Sequence, residues 1–255
     1  MTPSDLYLDL VKRTLTNLLY IDAEPRYDPQ NDGAESRRLR TNGLDWPAWG
    51  LTMVGMKRLD NIQTLVEAAL AEEIPGDLFE AGVWRGGAGI LMRAILAAHA
   101  DTTRRVWLAD SFQGLPRPHV ERFPMDAGDT HYQYEALKVS LETVKANFAR
   151  FGLLDSRLEF VEGFFSETLD RAAVERIAVL RLDGDMYEST YVALTALYDK
   201  VSPGGFVIVD DYGYLESCRR AVADFLSSRS LAVELHQIDW TGVYWKKPVC
   251  GEGGS

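Results

Sequence analysis

From Asp77 onward the sequence alternates short apolar runs with longer amphipathic ones, and this alternation limits the fold more than any other feature. Strand candidates are Leu78–Val83, Val106–Ala109, Leu158–Val161, Ile177–Leu182 and Phe206–Val209. Helix candidates between them are Gly87–Ala98, Ser140–Phe151, a short piece near Ser166–Ala173, and Ser189–Tyr198. A further helix, Leu215–Leu226, precedes two last strands near Val233–Ile238 and Gly242–Lys246. Continuous apolar strands that alternate with helices are buried on both faces, so the pattern predicts an α/β fold. The expected architecture is a doubly wound, Rossmann-like sheet, mostly parallel, with an antiparallel C-terminal hairpin at one edge.

Upstream, residues 4–20 carry apolar positions at helical spacing. Asp22 to Trp49 is polar and turn-rich, and so long a stretch without an apolar period reads as disorder or a functional lid. A helix carrying Met53, Met56, Leu59 and Ile62 follows, then another through Leu65–Leu70. The Arg37-Arg38-Leu-Arg40 cluster reads as a solvated or subunit-contact charge run. The expected division is 1–76 for N-terminal helices and lid, 77–248 for the main domain, and 249–255 for a disordered tail.

A net charge of −11 argues against a nucleic-acid partner, because phosphate binding needs a positive footprint. Met1-Thr-Pro-Ser-Asp-Leu lacks a basic region followed by an apolar stretch, and no apolar run approaches the roughly 20 residues that span a membrane. Cys218 and Cys250 have no metal-ligand spacing and read as reduced thiols. A cytoplasmic protein is therefore expected.

Chemistry concentrates at the strand ends. Asp183 and Asp185 follow the fourth strand as Asp-Gly-Asp, and Asp210-Asp211 follow the fifth. Carboxylates crowded together repel unless a proton or cation compensates, and a hard divalent cation such as Mg²⁺ takes oxygen ligands. Taken singly, Asp-Gly is also ordinary turn chemistry, and Asp210-Asp211 an ordinary helix cap.

After the first strand comes Glu80-Ala-Gly82-Val-Trp-Arg-Gly-Gly87. The first two glycines are four residues apart, which is not the dinucleotide spacing. An acid before a glycine turn, and Asp110-Ser111 ending the next strand, fit an S-adenosyl-L-methionine crevice instead. There Asp110 would accept the ribose hydroxyls, as acids in doubly wound folds do. Glu162-Gly163, after the third strand, would line the adenine.

These motifs, with Leu51-Thr-Met53-Val-Gly-Met56-Lys-Arg-Leu59, Asp110-Ser-Phe-Gln-Gly114, Leu182-Asp-Gly-Asp185 and Asp210-Asp-Tyr212, resemble the macrocin O-methyltransferase family from about Leu6 to Lys246. The resemblance implies a class I methyltransferase sheet and a magnesium-requiring enzyme that uses S-adenosyl-L-methionine. It would methylate a deoxysugar hydroxyl on a macrolide- or aminocoumarin-type natural product. It also implies a homodimer or homotetramer, and it sets Met53 and Met56 beside donor and acceptor.

On this reading Asp185 is metal ligand and general base, Asp210 and Asp211 complete the protein ligands, and Asp183 meets the donor's amino-acid end. Fourth and fifth strands adjacent in the sheet would bring these ends about 4.8 Å apart. His131 and Glu135 lie on the acceptor side as candidate substrate contacts; a lone loop histidine is also commonly structural. The main alternative is a catechol-type O-methyltransferase with the same metal logic on an aromatic diol.

Overall fold

The computed structural model of the chain describes residues 1–24 and 33–249. Its centre is a seven-stranded sheet: β1 (Asp77–Ala81), β2 (Val106–Asp110), β3 (Leu158–Glu162), β4 (Ile177–Leu182), β5 (Val201–Val209), β6 (His236–Gln237) and β7 (Val243–Lys246). The strand order is β3-β2-β1-β4-β5-β7-β6. β1 to β5 run parallel, β7 is antiparallel to β5, and β6 is antiparallel to β7. The mostly parallel sheet and its antiparallel edge hairpin are therefore as the sequence predicts. The hairpin's first strand shrinks to two residues, because only His236 and Gln237 find ladder partners on β7.

Both faces of the sheet are covered. On one face the apolar sides of α1 (Pro3–Leu15), α3 (Met56–Ala71), α4 (Gly87–Ala98) and α5 (Leu141–Arg150) build one core around Leu78, Leu108 and Val179. On the other, a short α6 (Phe165–Thr168), α7 (Tyr187–Leu197) and α8 (Glu216–Ser228) cover Phe79, Leu180 and Val207. α4 is buried along nearly its whole length, which accounts for its apolar run Ile90–Leu96, interrupted only by Arg93.

Some boundaries differ from the pattern. α1 stops at Leu15, where Thr16 and the left-handed Asn17 turn the chain. Its start is set by a capping box: Asp5 N–H donates to Thr2 Oγ1 (3.1 Å), and Thr2 N–H donates to Asp5 Oδ2 (2.7 Å). The two helices expected between Met53 and Leu70 are one, α3, which Met53 precedes. Within the expected lid lies α2 (Gly33–Asn42), too polar to show an apolar period. The lid's Pro25–Asp32 and the tail from Cys250 lie outside the described residues. Among the described residues no helix is long and apolar enough to cross a membrane.

Strand order reverses between β2-β1 and β4-β5, and ligands in open α/β sheets bind outside the strand ends at such a switch point. There Gly82, at φ +95°, passes so close to β4 that a Cβ would sit 1.8 Å from the Asp183 carbonyl oxygen.

Candidate active site

Two adjoining cavities open at the switch point. The inner one is walled by the glycine turn (Gly82, Val83, Trp84), by Asp110 and Ser111 at the end of β2, and by Phe164 and Phe165 after β3. The outer one, about 390 Å³, is walled by Trp46, Arg58, His131, Asp211, Tyr214 and Trp240 among others. Met53, Leu137, Asp183 and Asp185 belong to both walls, so a group in one cavity meets a group in the other across these four side chains.

Asp110 is held by the turn it faces. Its Oδ2 accepts the amide protons of Val83 (2.7 Å) and Trp84 (3.3 Å), and its Oδ1 accepts that of Phe112 (2.8 Å). Burial raises this carboxyl and the three amides oppose the rise. Trp84 itself is left-handed, at φ +47°, an uncommon state for so bulky a residue.

Below the cavities lies a buried charge network absent from the sequence expectations. Arg181, the last residue but one of β4, binds Glu80, Asp183 (2.7 Å) and Asp210. Arg58, from α3, binds Asp210 (3.0 Å) and Asp239 (3.1 Å). Glu80 is thereby corrected: it is 1% exposed and lies under the cavity rather than on its wall. Burial outweighs Arg181, whose charge Asp183 and Asp210 share, and pushes Glu80 up to about 8.

The two Asp clusters do converge on the outer cavity, with Asp210 as the exception. Asp185 adopts φ +60°, and its N–H donates to Asp211 Oδ2 at 3.1 Å. Burial and then Asp183 push the Asp185 carboxyl up to about 7. Burial, Asp185 and Asp183 hold Asp211 well above the usual carboxylate range. Asp210 is fully buried, its Oδ2 taken by Arg58 and Arg181, while Oδ1 has no hydrogen-bond partner among the described residues.

No three His, Cys, Asp or Glu side chains among the described residues stand as a metal-ligand group, so the expected three-aspartate set is not assembled. The chemistry of the donors nonetheless fits a hard cation. Carboxyl oxygens of Asp185 and Asp211 repel each other across the cavity, and Asp210 keeps a buried oxygen unmatched.

The remaining expectations divide. His131 lines the outer cavity, its Nδ1 fixed by Asp129 Oδ2 at 2.8 Å. Ser111, Gly82, Met53 and Asp183 line the inner cavity. Glu162 and Gly163 do not; the next residues, Phe164 to Ser166, take that wall. Glu135 is exposed and paired with Lys138, and Met56 packs against the core; neither reaches a cavity wall. The aromatic wall of Trp46, Tyr214 and Trp240 went unforeseen, since its members come from three distant segments. Arg181 had a signal, a charge inside the apolar run Ile177–Leu182.

Comparison with known proteins shows the family. The family model described as Macrocin-O-methyltransferase (TylF) matches residues 4–247. The chain is 50% identical over 243 residues, 95% of itself and 92% of the relative, to the 8-demethyl-8-(2,3-dimethoxy-alpha-L-rhamnosyl)-tetracenomycin-C 4'-O-methyltransferase of Streptomyces olivaceus. It is 46% identical to the mycinamicin III 3''-O-methyltransferase of Micromonospora griseorubida, covering 97% of the chain and 99% of the relative. Among solved structures, the O-methyltransferase NovP superposes with a TM-score of 0.90 at 45% identity, covering 96% of this chain and 100% of that one. A match of this extent, on a crevice built from the first three strand ends, makes the chain a member of the macrocin O-methyltransferase family and an S-adenosyl-L-methionine-dependent O-methyltransferase.

Proposed function

We propose that the enzyme methylates a deoxysugar hydroxyl on a glycosylated natural product, with the donor in the inner cavity and the sugar in the outer one. The observation that carries this reading is the shared wall of Met53, Leu137, Asp183 and Asp185. A base there serves both cavities, and methyl transfer to oxygen needs alignment of the two reactants and a deprotonated hydroxyl.

Each side chain then has a task. Asp110, fixed by the turn amides, accepts the donor's ribose hydroxyls with its remaining lone pairs, Ser111 stands beside it, and Asp183 faces the amino-acid end. Asp185, on the wall that both cavities share, takes the proton of the acceptor hydroxyl. Asp185 and Asp211, with Asp210 through Oδ1, would hold Mg²⁺. When bound, the donor supplies a methyl group on a sulfonium, and Mg²⁺ supplies a Lewis acid that makes the hydroxyl more acidic. His131 and the aromatic wall hold the sugar and shield it from water. Self-association is part of the proposal, through the exposed Leu6, Leu10 and Tyr20 of the N-terminal region, and sedimentation measures it.

The test is methyl transfer from labelled donor to the rhamnosylated tetracenomycin and to mycinamicin III, with Mg²⁺ and with EDTA. Transfer to a glycoside that EDTA abolishes is expected. Turnover of catechols alone would overturn the sugar reading, and full activity in EDTA would overturn the metal.

A further inference from the structure

Trp84 and Arg85 are neighbours in the glycine turn, yet each reaches out of it to a segment that adjoins a different wall of the outer cavity. The Trp84 indole N–H donates to the Ala136 carbonyl oxygen at 2.8 Å, on the segment that carries His131 and Leu137. Arg85 Nη1 donates to the carbonyl oxygens of Pro47 (3.0 Å), Ala48 (3.1 Å) and Gly50 (2.7 Å), on the segment that follows Trp46. The Gly87 N–H adds a bond to Leu51 at 3.0 Å.

The two walls also touch each other, because Trp46 and Tyr134 meet edge to face with centroids 5.7 Å apart. The Arg85 guanidinium lies 4.1 Å from the centre of the Trp84 ring, so the two reaching side chains brace one another. A closed circuit results: Trp84 to Ala136, Tyr134 to Trp46, Pro47 back to Arg85. One corner of it is strained. Trp84 keeps its left-handed backbone while its own N–H is bound to Asp110, the residue at the base of the inner cavity.

We infer that Trp84 and Arg85 are positioning residues that couple the two cavities, so that a donor bound in the inner one orders the acceptor walls of the outer one. This rests on the donor lying in the inner cavity. A ligand that engages Asp110 and the turn fixes the Trp84 backbone, and the two side chains carry that order into separate wall segments. The coupling is reciprocal, so an ordered acceptor cavity tightens donor binding by the same factor.

The test is amide hydrogen exchange with and without S-adenosyl-L-homocysteine, which needs no acceptor. In the unaltered enzyme the ligand is expected to slow exchange about tenfold or more across residues 131–138 and 47–51. Trp84→Phe keeps the ring that walls the inner cavity and deletes the N–H; it should lose the effect in 131–138 and keep it in 47–51. Arg85→Met should do the reverse, and Arg85→Lys, with three donors for three carbonyls, should restore it. Calorimetry should find the ligand's affinity for both variants lowered by no more than about tenfold, because neither side chain's hydrogen bonds are made to the ligand.

If the ligand does not bind, the donor placement falls and the inference with it. If it binds without slowing exchange in either segment, the coupling alone is overturned. Loss of protection in both segments from either single change assigns the pair a merely structural role and also overturns it.

Discussion

Arg58 Nη1 stands 3.0 Å from Asp210 Oδ2, so a helix contributed by the N-terminal quarter of the chain grips the aspartate at the end of β5. Both side chains are almost wholly buried, and the same guanidinium holds Asp239, whose other oxygen accepts the N–H groups of Thr241 and Gly242. Removing Arg58 leaves the buried Asp239 without its cation and Asp210 with Arg181 alone. Arg58→Ala is therefore expected to destabilise the fold by about 3–5 kcal/mol in denaturant titration. A loss below about 1 kcal/mol would mean that the pair is not closed to water.

Asp185→Asn keeps the size of the side chain and removes its ability to take a proton. Turnover should fall by about 10²–10⁴, the range for a lost general base. Calorimetric binding of S-adenosyl-L-homocysteine should stay close to that of the unaltered enzyme. Retained turnover would shift the role of base to another group, with His131 the first to examine.

Glu80 makes stability depend on pH. Its folded carboxyl is raised to about 8 from an ordinary value of 4.5. Between those values the folded chain holds a proton that the unfolded chain has released. Stability from this group therefore falls as pH rises, by at most about 1.4 kcal/mol per pH unit. Glu80→Gln, which carries no proton to lose, should flatten that slope. Unfolding titrations between about pH 5 and pH 8 compare the two proteins, and equal slopes would show that Glu80 ionises normally.

Gly82→Ala tests the switch point. A methyl group there meets the Asp183 carbonyl oxygen at 1.8 Å on a left-handed backbone, so β1 and β4 must separate where both cavities begin. The expected outcome is an overpacking loss of about 1–3 kcal/mol or more, together with loss of S-adenosyl-L-homocysteine binding. Normal binding by this variant would place the donor elsewhere.

The parallel strands were legible because burial on both faces writes itself as unbroken apolar runs such as Ile177-Ala-Val-Leu. Asp110, Asp183 and Asp185 were legible for a related reason, since polar residues that end such runs stand at the rim where a crevice forms. Asp210 ends a run too, but its partners Arg58 and Arg181 are set by tertiary packing, and no local pattern says which acid turns inward. The same limit hid Trp46, Tyr214 and Trp240, which become neighbours only after α3 and the edge hairpin have docked. α2 escaped notice because a helix this polar takes its form from contacts rather than from periodicity.

The inner cavity has a further consequence in the way one turnover gives place to the next. Among the described residues its wall carries Asp110, Asp183, Asp185 and Glu188 and no lysine or arginine. A donor loses one positive charge, that of its sulfonium, when its methyl group departs. With the donor placed there as proposed, the acidic wall would attract the fresh molecule more strongly than the spent one. On the proposed placement of the donor, the chemical step would weaken its own product's hold, and the cavity would favour exchange of used donor for new.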